Sequence, residues 1–263
     1  MVFIIVFKYF AYTGLSVAFL DYKIGKGYAG SKFVGLKIFE KVFKHRDFTK
    51  AVVNTLLLNV LDLIFSFPMP IILALLLNEI KNKFMKRSIQ TIVYLPNFLS
   101  WVILATVVVN IFSYEGPINA VLEMLGIEPI LFMASNKWFR SVLIVTDVWK
   151  GFGYGAIIYL AALSGIDPGL YEAAAIDGAN RFKRVWHITL PGILPTIMLV
   201  TIMNLPNVLN AGFDQIFNLY NPLVMETADI IDTWVYRVGL VERQYSLGTA
   251  AVSYTHLTLP TSD

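Results

Sequence analysis

The chain has no cysteine among its 263 residues, only three histidines, and charged side chains at 15% of positions. Each shortage removes a class of function. Without cysteine there is no disulfide framework, no thiol nucleophile and no thiolate metal site. His45, His187 and His256 lie far apart and show no ligand spacing, so no metal centre is expected. The formal net charge is +3 and the basic residues are dispersed, which argues against nucleic acid as a partner. No nucleophile, ligand set or carboxylate pair gathers at one depth, and the chain is not expected to be an enzyme.

What is abundant is apolar surface. Hydrophobic residues make up 57% of the chain and the mean hydropathy is +0.65, too apolar for an ordinary soluble domain. The pattern predicts an all-α polytopic helical membrane protein. A spanning helix needs roughly 20 mostly apolar residues, and five segments qualify, at about 1–20, 51–78, 88–112, 141–166 and 191–213. The first is read as a span rather than a cleaved leader, because Lys8 interrupts its apolar run and no small-residue cleavage site follows. Met1 already lies inside that run, so the sequence is expected to begin part-way into it. Residues 246–252 look like the start of a sixth span that does not follow; 252–263 resemble the translation of a sequencing-library adapter and are expected to be non-native.

Charge alone does not orient the spans. Residues 79–87 and 167–190 fall on one side, with Lys81, Lys83, Lys86, Arg87, Arg181, Lys183 and Arg184. The loop 21–50 on the other side carries Lys23, Lys26, Lys32, Lys37, Lys41, Lys44, Arg46 and Lys50. Short loops weigh most in the positive-inside rule, and the dense 79–87 loop leans toward the first side being cytoplasmic. Gly25 to Gly30 matches the dinucleotide fingerprint G-x-G-x-x-G, but it opens a lysine-rich loop after a span instead of joining a strand to a helix, so no nucleotide site is read there.

The loop at about 167–191 carries the densest signal. Asp167-Pro168 reads as a helix cap with proline at the first turn. Tyr171 to Asp177 can form about two helical turns, with Ala173, Ala174 and Ala175 small enough for close approach by a partner, and Gly178 suits a positive φ at the helix end. A basic second helix follows, and Leu190-Pro191 marks re-entry into the membrane. Glu172-Ala173-Ala174, Gly178 and Ile188-Thr189-Leu190-Pro191, at this spacing, resemble the EAA signature of permease subunits of binding-protein-dependent ABC importers. Further likeness to the carbohydrate branch runs through Asn54-Thr55-Leu56, Leu73 to Glu79 and Tyr94-Leu95-Pro96. Gln215 to Pro222, with Ala228 to Thr233, resembles a sub-branch for complex oligosaccharides, including polygalacturonan and other uronate-containing fragments.

The resemblance implies a Type I importer transmembrane domain over residues 1–251 in the bacterial cytoplasmic (plasma) membrane, with a multi-pass fold of five spans present and the sixth lost. It implies a coupling helix in which Glu172, Ala173, Ala174 and Gly178 seat on a cytoplasmic ATPase dimer, with Leu190 and Pro191 beginning the next span. It also implies a second permease subunit, an extracellular solute-binding lipoprotein, surrounding membrane lipid, and a sugar or oligosaccharide as substrate. No cofactor is implied for this chain; ATP is used by the partner ATPase. The outer loops 21–50, 113–140 and 214–245 would dock the binding protein.

Within the spans, Asp147 and Lys150 are costly, at roughly 2.5–3.5 kcal/mol each near a span centre. At i and i+3 they either pair with each other or line a pathway; in a proton- or ion-driven secondary transporter they would be the coupling pair. Gly151 and Gly155 suit close helix packing. Asn204, Asn207, Asn210 and Asp214 form a polar stripe if one helix carries them, the last three within an arc of about 60°. The stripe serves either interhelical hydrogen bonds or, with Trp149 and Tyr154 as stacking surfaces, a sugar path.

Overall fold

The computed structural model describes residues 13–205 and 210–258. Among these the chain is mostly helical, but not wholly: a small antiparallel hairpin pairs β1 (Leu20–Asp21) with β2 (Lys32–Phe33). Its connection holds the Gly25–Gly30 stretch, so the dinucleotide-like motif sits in an antiparallel hairpin loop, where no parallel βαβ unit exists to use it. The helices are α1 (Lys37–Lys44), α2 (Arg46–Phe65), α3 (Pro68–Glu79), α4 (Lys83–Tyr94), α5 (Trp101–Ile111), α6 (Pro117–Met124) and α7 (Phe139–Ser164). They continue as α8 (Pro168–Ile176), α9 (Arg181–Arg184), α10 (Leu190–Asn204), α11 (Phe213–Leu219), α12 (Met225–Ala228), α13 (Ile231–Val235) and α14 (Tyr245–Thr258). Contacts divide the chain into two compact units.

One unit, Val60–Ile130 with Ser141–Leu205, holds most of the membrane-spanning helix. Among the described residues three helices are long and apolar enough to cross a bilayer: Arg46–Glu79, Phe139–Ser164 and Arg181–Asn204. A fourth crossing arises only if Lys83–Phe98 and Trp101–Ile111, bent by 107°, count as one span. Of the five expected segments, those at 51–78 and 141–166 match two of these helices, and the other three differ. Residues 1–12 of the first lie outside the described residues, and 13–19 form a 3-10 helix. The segment expected at 88–112 is a broken pair, and the one expected at 191–213 begins ten residues earlier and stops at Asn204. Only 11%, 28% and 11% of the three apolar stretches are buried within the chain, so the remainder faces lipid or other subunits. Ala74, Ala156, Tyr159, Leu163 and Ile193 form the packed centre of this unit.

The close approaches correct the expected Gly151 and Gly155 pair. Gly151 faces open space; Gly155 lies against Pro70, and the tightest contact is Gly153 against the Val93 carbonyl, where any Cβ would collide with backbone. In α6, Asn119 is buried and fully used: its Nδ2 donates to Ser113 O and Ile130 O, and its Oδ1 accepts from Ile130 N. Gly116-Pro117 starts α6 with proline in the first turn.

The other unit draws on Met1–Asn59, Leu131–Arg140 and Pro206–Asp263. Its core gathers Ala18, Ile38, Val42, Phe48, Ala51, Ile231, Trp234, Val238, Ala250 and Ala251. Phe48 meets Trp234 edge-on with ring centroids 5.0 Å apart. The stretch 214–245, expected as a polar loop, is helical, and α14 continues through Val252 to Thr258 with no break where the non-native tail is expected to begin. Ser246 Oγ donates to Leu20 O and accepts from Tyr22 N, stitching α14 to the hairpin. At 14 residues α14 is about 21 Å long, short of a crossing.

A polar network locks this unit. Asn54 donates to the carbonyls of Glu226 and Asp229 and accepts from Arg140 Nη2 at 2.7 Å. Thr55 Oγ1 accepts from Ile231 N, and Thr233 Oγ1 donates to Asp229 Oδ1. Arg237 completes the arrangement with a two-pronged pair to Asp229 at 3.0 and 2.6 Å. Its hydrogen bond to that carboxylate holds the guanidinium above its ordinary pKa, while burial pulls the other way. Asp229→Ala leaves this partly buried cation unpaired and is expected to lower stability by about 3 kcal/mol, read as an earlier thermal unfolding transition of the detergent-purified protein.

Candidate functional site: a capped, solvent-facing loop between two spans

The loop after α7 is built from side-chain caps. Asp167 accepts from Gly169 N at 2.9 Å and Pro168 occupies the first turn of α8. At the other end Gly178 adopts φ 74° with open space where a Cβ would sit. Gly178 N donates to Ala175 O and Ala179 N to Ala174 O, the paired bonds of a Schellman stop. Asn180 then caps α9 by accepting from Lys183 N. Glycine is required by the left-handed backbone here, not by crowding.

Leu190 and Pro191 stand at the start of α10, with the proline in its first turn. The helix runs unbroken from Arg181 to Asn204, and Pro191 lies inside it. A π-turn over Val185–Thr189, closed by Leu190 N on Val185 O, widens the helix just before the proline ring. That local expansion lets a residue with no N–H sit in a continuous helix. Thr189 Oγ1 donates to Arg184 O and meets Tyr171 OH at 3.1 Å, tying α8 to the π-turn. Arg181 reaches Glu79 at 3.8 Å, an exposed pair of little energetic weight that marks the Glu79 end of the first long helix as the loop's side.

Glu172 and Ala173 are exposed, Ala174 and Leu190 half-buried, and Pro191 exposed. Around them the loop presents what the sequence reading passed over: Ile176 is 88% exposed, Phe182 79% and Trp186 67%, with Leu170 also open. Large apolar side chains in a polar loop were the available signal. The capped knuckle thus leaves four large apolar groups open at its surface.

The residues proposed for a solute path are dispersed. Asn207 lies outside the described residues. The helix carrying Asn204 ends there, and Asn210 stands in a non-helical stretch, accepting from Gly212 N. Asp214 belongs to α11, which starts after left-handed Gly212. The continuous polar stripe is therefore corrected: Asn204, Asn210 and Asp214 do not share one helix, and left-handed Gly212 separates the last two. Trp149 and Tyr154 are exposed on α7 but about 140° apart around it, so they do not share a face. Tyr154 packs edge-on against Phe98.

Asp147 and Lys150 find separate partners, which corrects both the mutual pair and the coupling-pair reading. The Lys150 ammonium donates to Pro96 O, Asn97 O and Leu99 O, at 2.7 Å to the last, and lies 5.5 Å from the Trp101 ring centre. It caps the carbonyls left open where the chain turns 107° between α4 and α5. Asp147 accepts from Ser66 Oγ at 3.3 Å and lies within hydrogen-bonding range of the Asp62 carboxyl, whose Oδ1 is buried without a donor.

Apolar spans joined by a capped, partner-facing loop, with their charges spent on broken backbone, define a permease subunit of a membrane transporter. The chain belongs to the family of binding-protein-dependent transport system inner membrane components, whose family model matches residues 66–213. It is a multi-pass inner-membrane permease and not an enzyme. It is similar to Protein LplB of Bacillus subtilis (strain 168), 42% identical over 95% of this chain and 79% of that protein. The polygalacturonan/rhamnogalacturonan transport system permease protein YteP of the same organism is 41% identical over 95% and 78%. Among solved structures, a bacterial ABC transporter involved in the import of the acidic polysaccharide alginate matches with a TM-score of 0.88 and 40% identity, covering 98% of this chain and 87% of that one.

Replacing Lys150 by methionine opens three backbone carbonyls and is expected to cost about 2 kcal/mol, while Asp62→Asn supplies the missing donor and is expected to add about 1 kcal/mol. Thermal unfolding of the two purified variants in the same detergent checks both signs.

Proposed function

We propose that this chain is the membrane-spanning subunit of an ATP-driven sugar importer, with the 167–191 loop seated on a cytoplasmic ATPase. In this reading an extracellular binding protein delivers an oligosaccharide, a second permease subunit completes the path, and closure of the ATPase pair rocks the spans between two access states. Glu172, Ala173, Ala174 and Gly178 form the seat, and Leu170, Ile176, Phe182 and Trp186 supply its apolar grip. Its spans would constitute the chain's share of the transporter, with the outer loops receiving the binding protein. One of Trp149 and Tyr154, which lie on different faces of α7, offers a ring surface along the solute's route.

The observation that carries this reading is the loop itself: a partner surface fixed by caps at both ends and joined without a break to the helix Arg181–Asn204. Such a knuckle transmits displacement because it has no soft joint to absorb it. The substrate class is an acidic, uronate-bearing oligosaccharide. Support comes from the relatives: YteP is named for polygalacturonan and rhamnogalacturonan, and the alginate importer has been solved in complex with an alginate pentasaccharide-bound periplasmic protein.

Gly178→Asp imposes a side chain on a left-handed backbone and places a carboxylate beside the seat. Uptake is expected to fall below about one-tenth of wild type while the protein stays in the membrane. Radiolabelled-sugar uptake with a parallel membrane immunoblot checks this; normal ATP-coupled uptake contradicts it.

A further inference from the structure

The loop 21–50 carries eight Lys and Arg against three Asp and Glu. In the orientation proposed above that loop faces outward, where the positive-inside rule does not call for basic charge. The structure shows where part of this charge converges. α2 begins at Arg46, within this outward loop. There an open cavity of about 400 Å³ is lined by Arg46, Thr49, Lys50, Val53, Asn54 and Glu226, within the range of small-molecule sites, roughly 300–1,000 Å³.

Its chemistry is that of an anion site with one removable plug. Arg46 and Lys50 stand one turn apart on the same helix, their side chains adjacent. Among the described residues Arg46 has no carboxylate partner, and Lys50 pairs with Glu226 at 3.2 Å. Both members of that pair are well exposed, at 40% and 67%, so it is weakly held and open to exchange. Asn54 cannot contribute, since its amide is already used by Glu226 O, Asp229 O and Arg140; what it does is hold the wall rigid. A carboxylate entering between Arg46 and Lys50 would take the place of Glu226.

We infer that the Arg46–Lys50 cavity is an outer subsite for one uronate carboxylate of the oligosaccharide, receiving it as the binding protein releases it. This rests on the acidic-oligosaccharide reading above. A neutral sugar gains nothing from the cavity, so the subsite contributes to selectivity for charged chains.

The test uses the complete importer in proteoliposomes, with trigalacturonate as the probe. Arg46→Gln with Lys50→Gln is expected to raise KM for uptake about tenfold or more. Arg46→Lys with Lys50→Arg, which keeps both charges, should restore it, and Glu226→Gln, which removes the plug, should lower KM. Cosedimentation of unloaded binding protein with the same proteoliposomes measures docking alone; the outer loops offer it a surface far wider than two side chains, so docking should change little beside the KM. Loss of docking in parallel with uptake assigns the surface to the binding protein and overturns the inference. Wild-type uptake that R46Q/K50Q leaves intact overturns it while the substrate reading stands. A wild-type importer that takes up no trigalacturonate overturns both.

Discussion

A backbone inside hydrocarbon has no water to turn to, so each departure from the helix must be answered by some other group of the protein. This constraint explains where the chain spends its polar residues. At the 107° turn between α4 and α5, the carbonyls of Pro96, Asn97 and Leu99 would be orphaned, and the Lys150 ammonium is inserted among them. At Pro191 a π-turn accommodates the missing donor. Between α2 and α3, Ser66 N and Phe67 N both return to Asp62 O before Pro68 resumes the helix. Each break is accompanied by a local answer, and the spans keep their outer surfaces apolar.

The same economy makes the loop stiff. Asp167, Asn180 and the glycine stop satisfy its helix ends internally, leaving the apolar tips of Ile176, Phe182 and Trp186 to the surroundings. A stiff connection between a partner surface and a membrane helix is what a subunit that borrows its energy from elsewhere needs. In α2, Asn54 and Thr55 bind the segment around Asp229, and Arg237 closes the arrangement.

Much of this was legible. Asp167-Pro168, the three alanines and Gly178 forecast the capped α8 because caps and left-handed glycines act over a few residues. Length and apolarity forecast spans. What failed depended on distance or on an assumed straight helix. Lys150 and Asp147 stand three residues apart, and proximity in sequence suggested a pair; the carbonyls that Lys150 serves lie some fifty residues earlier. The asparagine stripe required continuity from Asn204 to Asp214, which left-handed Gly212 interrupts. Gly151 and Gly155 matched a packing pattern, yet the helix is rotated so that Gly153 meets Val93. Asn54-Thr55 was visible only as a likeness, since the partners of Asn54 lie 86 to 175 residues away.

The central claim is that motion enters through the knuckle around Ala174. Because the chain has no cysteine of its own, Ala173→Cys supplies a single thiol at the seat. Bifunctional maleimide crosslinking in membranes containing the assembled importer, with a cysteine placed in the groove of the ATPase, reads the contact directly. The account predicts a permease–ATPase adduct whose yield changes when ATP closes the ATPase pair. An equally reactive thiol that yields no such adduct in either state would contradict it.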